Sequence, residues 1–181
     1  MSTYDVVLLI ETGLSELDVR QVRSLHTELP DPVAYHVLLP VDDAAARVEG
    51  AVGALGSPAE PVTPSAVYRP EDVADLQQGV EAEARRVLDE TVAALRGADG
   101  VTADGDLVTV DPIDALATKA NEVEAAEVIV LTSPHVVKEF FHVDWASRAE
   151  RRLDVPVLHL LERETFDQQA ERYGDEGVTG Y

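Results

Sequence analysis

The chain contains no cysteine. A disulfide framework, a thiolate zinc site and a cysteine nucleophile are therefore excluded together. Basic residues are scarce: 14 Lys and Arg stand against 35 Asp and Glu, and the formal net charge is −21. Neutralising a phosphate backbone needs clustered cations, so nucleic acid is not an expected partner. An anionic membrane surface is unsuited for the same reason. The one basic cluster, Arg148, Arg151 and Arg152, suits the C-terminal turn of a helix and its dipole. Long apolar runs are missing too. VVLLI and VIVL fall far short of a bilayer span. The start MSTYDVV lacks the basic opening and apolar core of a signal peptide, so no leader is expected. No glycine occurs between Gly105 and Gly174. The nucleophile elbow G-x-S-x-G, the P-loop and G-x-G-x-x-G are all absent.

What remains is an ordinary globular composition. The 181 residues are 45% apolar and 27% charged, enough for one well-cored domain. Residues 4–10, YDVVLLI, form a near-continuous apolar run, which suits a strand buried on both faces. Ser15 and Asp18 resemble a capping box ahead of Leu17, Val22, Leu25 and Leu29, which recur near helical spacing until Pro30 and Pro32. Residues 34–40, AYHVLLP, read as a second strand. Residues 42–55 carry two interior glycines, four prolines follow between 58 and 70, and 41–69 reads as an insertion.

A long helix is predicted over 71–96, and an edge strand with polar alternation over 101–110. Asp111 caps, and Pro112 opens, a helix over 113–124. VIVL (128–131) reads as a core strand, a helix leads to Leu153, and VPVLHLL (155–161) is the last strand. The polar tail 162–181 is expected to fray or to pack on a partner. Five strands alternating with helices specify α/β: one doubly wound, five-stranded parallel sheet, with the first and fourth strands central and adjacent. The chain is too short for an eight-fold β/α barrel, which needs about 250 residues.

From DPIDALATKANEVEAAEVIVL through RAERRLDVPVLHLL, and at the start VVLLIETG, the sequence resembles the universal stress protein family over roughly residues 4–161. The resemblance implies the adenine nucleotide alpha hydrolase-like fold with strand order 3-2-1-4-5. It also implies homodimers through the last strand and a cytoplasmic role in stress responses. ATP-binding members carry G-x2-G-x9-G-[ST] after the fourth strand, where bare backbone amides and a helix N-terminus meet the phosphates. The corresponding positions here are Ser133, Val136, Ala146 and Ser147; a one-residue slide gives Thr132, His135 and Trp145. Only the hydroxyl of Ser147 matches. Glu11 stands where those members end the first strand in aspartate. ATP binding of the usual form is not expected, and no other cofactor is indicated.

Candidate ligand residues lie at the strand ends and in the loop after the fourth strand: Glu11, Thr12, Gly13, Asp42, Thr132, Ser133, His135 and Ser147. Ligands of open α/β sheets bind at that edge. Glu11 with Asp42 and Asp43 forms either an acidic mouth for a divalent cation or a set of solvated acids. His135, Lys138, Glu139, His142 and Asp144 crowd one segment. They could bind a metal or shuttle protons, or could be rim residues bonded to backbone and to each other. Phe140, Phe141 and Trp145 either stack a ligand or pack a loop on the core. His36 and His159 lie in strands two and five, too far apart for one metal site. His159 is either a satisfied strand histidine or a neighbour of its mate in a dimer. Three readings stand: a binding or regulatory module, an enzyme using His135, His142 and Asp144, and a nucleotide binder with a different phosphate cradle.

Overall fold

A computed structural model describes residues 3–41, 70–97, 100–133 and 143–170, with 70–77 and 143–144 as backbone alone. The elements are β1 (Tyr4–Ile10), α1 (Glu16–Ser24), β2 (Val33–Pro40), α2 (Pro70–Leu95), β3 (Val101–Val108), α3 (Pro112–Glu122), β4 (Glu127–Thr132), α4 (Val143–Arg152) and β5 (Val157–Leu161). The strands form one parallel sheet in the order β3-β2-β1-β4-β5. This is the expected architecture, with β1 and β4 adjacent at the centre. Val6 to Ile10 and Val128 to Leu131 are almost fully buried.

The period of two along each strand divides the core. Val6, Leu8 and Ile10 pack with Val19 and Val22 of α1 and with Leu88, Val92 and Leu95 of α2. Val7 and Leu9 pack on the other face with Ile113 and Leu116 of α3 and with Trp145 and Ala149 of α4. Each such side chain contributes about 1.5–3 kcal/mol. Trp145 is therefore a core residue, as the packing alternative had it; Phe140 and Phe141 lie outside the described residues.

Caps set the element boundaries. Ser15 and Asp18 form the full capping box of α1. Asp111 accepts from the amides of Ile113 (2.9 Å) and Asp114 (3.1 Å) and receives Arg148 from α4. That guanidinium holds the Asp111 carboxyl below the usual range. Arg152 pairs with Asp114 in the same way, so two of the three clustered arginines tie α4 to α3. β3 stops at Val108, short of the expected 110, because Val110 turns 62% exposed before the cap.

α1 stops at Ser24, short of the prolines. Beyond it His26 turns inward, 6% exposed. Its Nδ1 lies 3.0 Å from the Val22 carbonyl and 2.8 Å from the Tyr35 hydroxyl, and its Nε2 lies 2.5 Å from Glu127. Tyr4 donates to the other Glu127 oxygen at 3.4 Å. Burial pushes the Tyr35 hydroxyl up to about 12, opposed by Arg23 and reinforced by Glu127. The cluster pins α1 to three strands at the N-terminal edge of the sheet.

Candidate functional site

The connections out of β1 and β4 leave in opposite directions, so the crevice at their C-terminal ends is the topological switch point. Glu11 directly follows β1 and is 5% exposed. Its carboxylate accepts the Ser133 amide at 2.8 Å. Ser133 follows β4, and its hydroxyl donates 2.8 Å to Glu162. Glu162 follows β5 and is 2% exposed. It reaches past β4 to residue 12, accepting the Thr12 amide at 3.0 Å on one oxygen and the Thr12 hydroxyl on the other. Two buried carboxylates thus converge on Ser133. Burial raises the Glu162 carboxyl above its ordinary range, the Thr12 and Ser133 hydrogen bonds oppose this, and the charge of Glu11 adds to it.

The neighbouring segment is bonded as closely. Arg163 turns through φ 61°, and its amide donates 2.6 Å to Asp18 of α1. Asp18 also accepts from the Ser15 amide and hydroxyl. Residues 166–170 are helical, and Gln169 folds back to accept the Leu161 amide at 3.1 Å and donate to the Leu161 carbonyl at 3.3 Å. Packing therefore continues past residue 161, through hydrogen bonds rather than the apolar contacts a polar tail lacks.

Of the candidate residues, Glu11, Thr12 and Ser133 meet in this cluster. Thr132 faces the other way and pairs with His159 at 2.8 Å. His159 is thus a satisfied strand histidine; burial lowers its pKa, against the opposing charge of Glu150. Gly13 serves close packing. A Cβ there would lie 2.7 Å from the Val87 Cγ1 of α2. Ser147 lies inside α4, which begins at Val143, rather than at the helix start where the resemblance places an anion-binding hydroxyl. Among the described residues no hydrogen bond joins it to the cluster. Asp42, Asp43, His135, Lys138, Glu139 and His142 lie outside the described residues, as does the Asp144 side chain.

Sequence reasoning missed Glu162 and placed it in the tail. The signal that could have found it is position: Glu162 directly follows a strand that pairs with β4, so it shares an edge with Glu11 and Ser133. His36 sits elsewhere, bridging Asp5 (2.9 Å) and Asp104 (3.1 Å) across three strands. No group of three or more acids and histidines among the described residues is arranged to hold a metal ion. A groove of about 320 Å³ lies apart from the crevice, beside α3 and the end of β3. Its one cation, Lys119, is paired with Asp106 and Glu122.

No protein-family model matches the sequence, and no curated protein does. Solved structures do match its shape. A universal stress protein family protein from Arabidopsis thaliana, with AMP bound, aligns at TM-score 0.50 and 14% identity, over 90% of this chain and 93% of that one. The chain has the universal stress protein fold. A hypothetical protein of the same shape aligns at TM-score 0.53 and 18% identity, over 90% and 99%. A universal stress family protein from Burkholderia pseudomallei aligns at 0.49 and 20%, over 87% and 96%. At these identities the likeness is one of fold. Among the described residues, the crevice of this fold is lined by its own acids. Its occupant is a buried carboxylate, a second acid adjoins it, and the loop beyond β4 has no glycine.

The site carries a pH signature. Because the Glu162 carboxyl is raised in the folded chain, its contribution to stability is fully present below the ordinary glutamate pKa of about 4.3 and is lost as pH rises through the raised value. Glu162→Gln has no such titration. Urea unfolding between pH 4 and pH 8 should show wild type losing stability relative to Glu162→Gln as pH rises. A difference independent of pH, or one of opposite slope, would show that Glu162 is not held as described.

Proposed function

We propose that the chain is a universal-stress-like binding or regulatory module of the cytoplasm, with its ligand site at the β1–β4 switch point and no ATP cradle of the usual form. The observation that supports this reading is the buried Glu162 carboxylate, bonded to Thr12 and Ser133 beside Glu11. Negative charge already fills the place where a nucleotide's phosphates would need donors. No helix among the described residues is long and apolar enough to cross a membrane.

The second reading is a nucleotide held through another cradle, favoured by the AMP in the Arabidopsis structure of this fold. Amide chemical-shift mapping with millimolar AMP separates the two. The leading reading expects little perturbation at neutral pH, and confines it to Thr12, Gly13 and Ser133. Strong shifts spread along β2 and β3 would place a nucleotide site elsewhere and end this reading.

Assembly belongs to the same proposal. β5 is an edge strand with Leu158 38% exposed, and Gln169 covers its outer backbone at Leu161. The remaining upstream rungs suit a two-fold partner that lays the same strand alongside. At −21 per chain, repulsion opposes that contact, so the dimer should strengthen with salt. Light scattering at low and high salt is expected to show the dimer fraction rising; a monomer at both would refute the assembly.

A further inference from the structure

We propose that residues 162–170 form a strap that closes the switch-point crevice by seating the chain's own Glu162 carboxylate in a donor cradle which, with the strap withdrawn, takes a singly charged carboxylate ligand. The proposal rests on the binding-module reading and adds the ligand's chemistry and the device that guards the site.

The cradle has three donors from two strand ends. The Thr12 amide addresses one oxygen of Glu162; the Thr12 and Ser133 hydroxyls address the other. All three converge on one planar carboxylate, which they read at both oxygens. The charge of the occupant matters. Glu11 lies on the other side of Ser133, bonded to its amide, so every anion in the cradle faces a neighbouring acid. A doubly charged phosphate would meet more repulsion, so the cradle discriminates in favour of a carboxylate.

Besides the bonds of Glu162, the strap is tied to the body through the Arg163 amide on Asp18 and through the Gln169 amide group on the Leu161 backbone. Directly after Glu162 the chain turns through Arg163 at φ 61°, a left-handed conformation that a residue with a Cβ adopts against a steric penalty. Release of the strap relieves that penalty and the facing charges together. Burial chiefly raises the Glu162 carboxyl, and the facing Glu11 charge adds to it.

Chemical rescue tests this. Glu162→Ala empties the cradle, and formate is the smallest carboxylate that could refill it. Thermal unfolding is followed with sodium formate, sodium phosphate and sodium chloride at matched ionic strength. Formate is expected to raise the variant's midpoint by about 3 °C or more over chloride. It should leave wild type unmoved, act more strongly than phosphate, and fail on the double variant Glu162→Ala, Ser133→Ala. Formate and chloride acting alike on a folded Glu162→Ala, or formate acting equally on wild type, would overturn the proposal. Should Glu162→Ala not fold, Glu11→Gln keeps an oxygen for the Ser133 amide and removes the facing charge while leaving Glu162 and its three donors in place. Hydrogen exchange at the Arg163 and Leu161 amides should then slow relative to wild type, because the repulsion that loosens the strap is gone, with the β1 amides unchanged. Unchanged or faster exchange would overturn the proposal. Tight ATP binding by wild type would defeat the reading of the site, whereas the formate result is read without any nucleotide, so the two failures are distinguishable.

Discussion

His26→Ala is expected to destabilise the protein by about 3 kcal/mol. His26 lies between Tyr4 and Tyr35, with ring centroids at 5.8 Å and 5.5 Å. Its two nitrogens engage Val22, Tyr35 and Glu127. Alanine leaves a void, a buried Tyr35 hydroxyl without its partner and a Glu127 carboxylate that keeps only the long Tyr4 bond. Breaking a buried pair costs about 3–5 kcal/mol, but the Glu127 side chain retains 22% exposure and water can reach it, which favours the lower end. Tyr35→Phe, which removes one hydroxyl from the cluster, should cost only about 1 kcal/mol. In thermal unfolding, the histidine variant should melt about 6–12 °C below wild type. A loss under 1 kcal/mol would mean that the cluster does not pin α1 to the sheet.

Gly105→Val is expected to cost about 2 kcal/mol, although valine is a better strand residue than glycine. Gly105 lies in β3, where α2 packs down on the sheet. A Cβ at Gly105 would lie 2.7 Å from the Leu88 Cδ1, 3.0 Å from the Leu88 Cγ and 3.0 Å from the Val92 Cγ2. Leu88 is fully buried and cannot swing into solvent. Relief therefore requires α2 to move off β3, which loosens the whole first face of the core. Removing a glycine gains about 0.4–1 kcal/mol through the unfolded chain, less than overpacking costs. Chemical denaturation compares the two directly. A valine variant as stable as wild type would show that α2 sits farther from β3 than the structure places it.

The sheet was legible because its chemistry is local. Residues 6–10 and 128–131 are apolar at every position, which only burial on both faces explains. Ser15 with Asp18, and Asp111 with Pro112, mark helix starts through bonds that span two or three residues. The site was half legible. Glu11, Thr12 and Ser133 follow from the rule that ligands gather at strand C-terminal ends. Glu162 does not, because its donors lie 150 and 29 residues away and a lone acid after a strand looks like the start of a polar tail. His26 was missed for the same reason: nothing near it in sequence shows that Tyr35 and Glu127 converge on its ring. His159 stood open between a strand histidine and a dimer contact, because its bond to Thr132 depends on the β4–β5 register, which pairs His159 with Val130 and Leu161 with Thr132.

We propose that this universal stress fold fills its switch-point crevice with its own acid and does not cradle polyphosphate. Isothermal calorimetry of ATP with the wild-type chain at neutral pH tests it most directly. The account predicts no saturable heat at micromolar concentrations. A dissociation constant in the micromolar range or tighter, lost on Ser133→Ala, would contradict it.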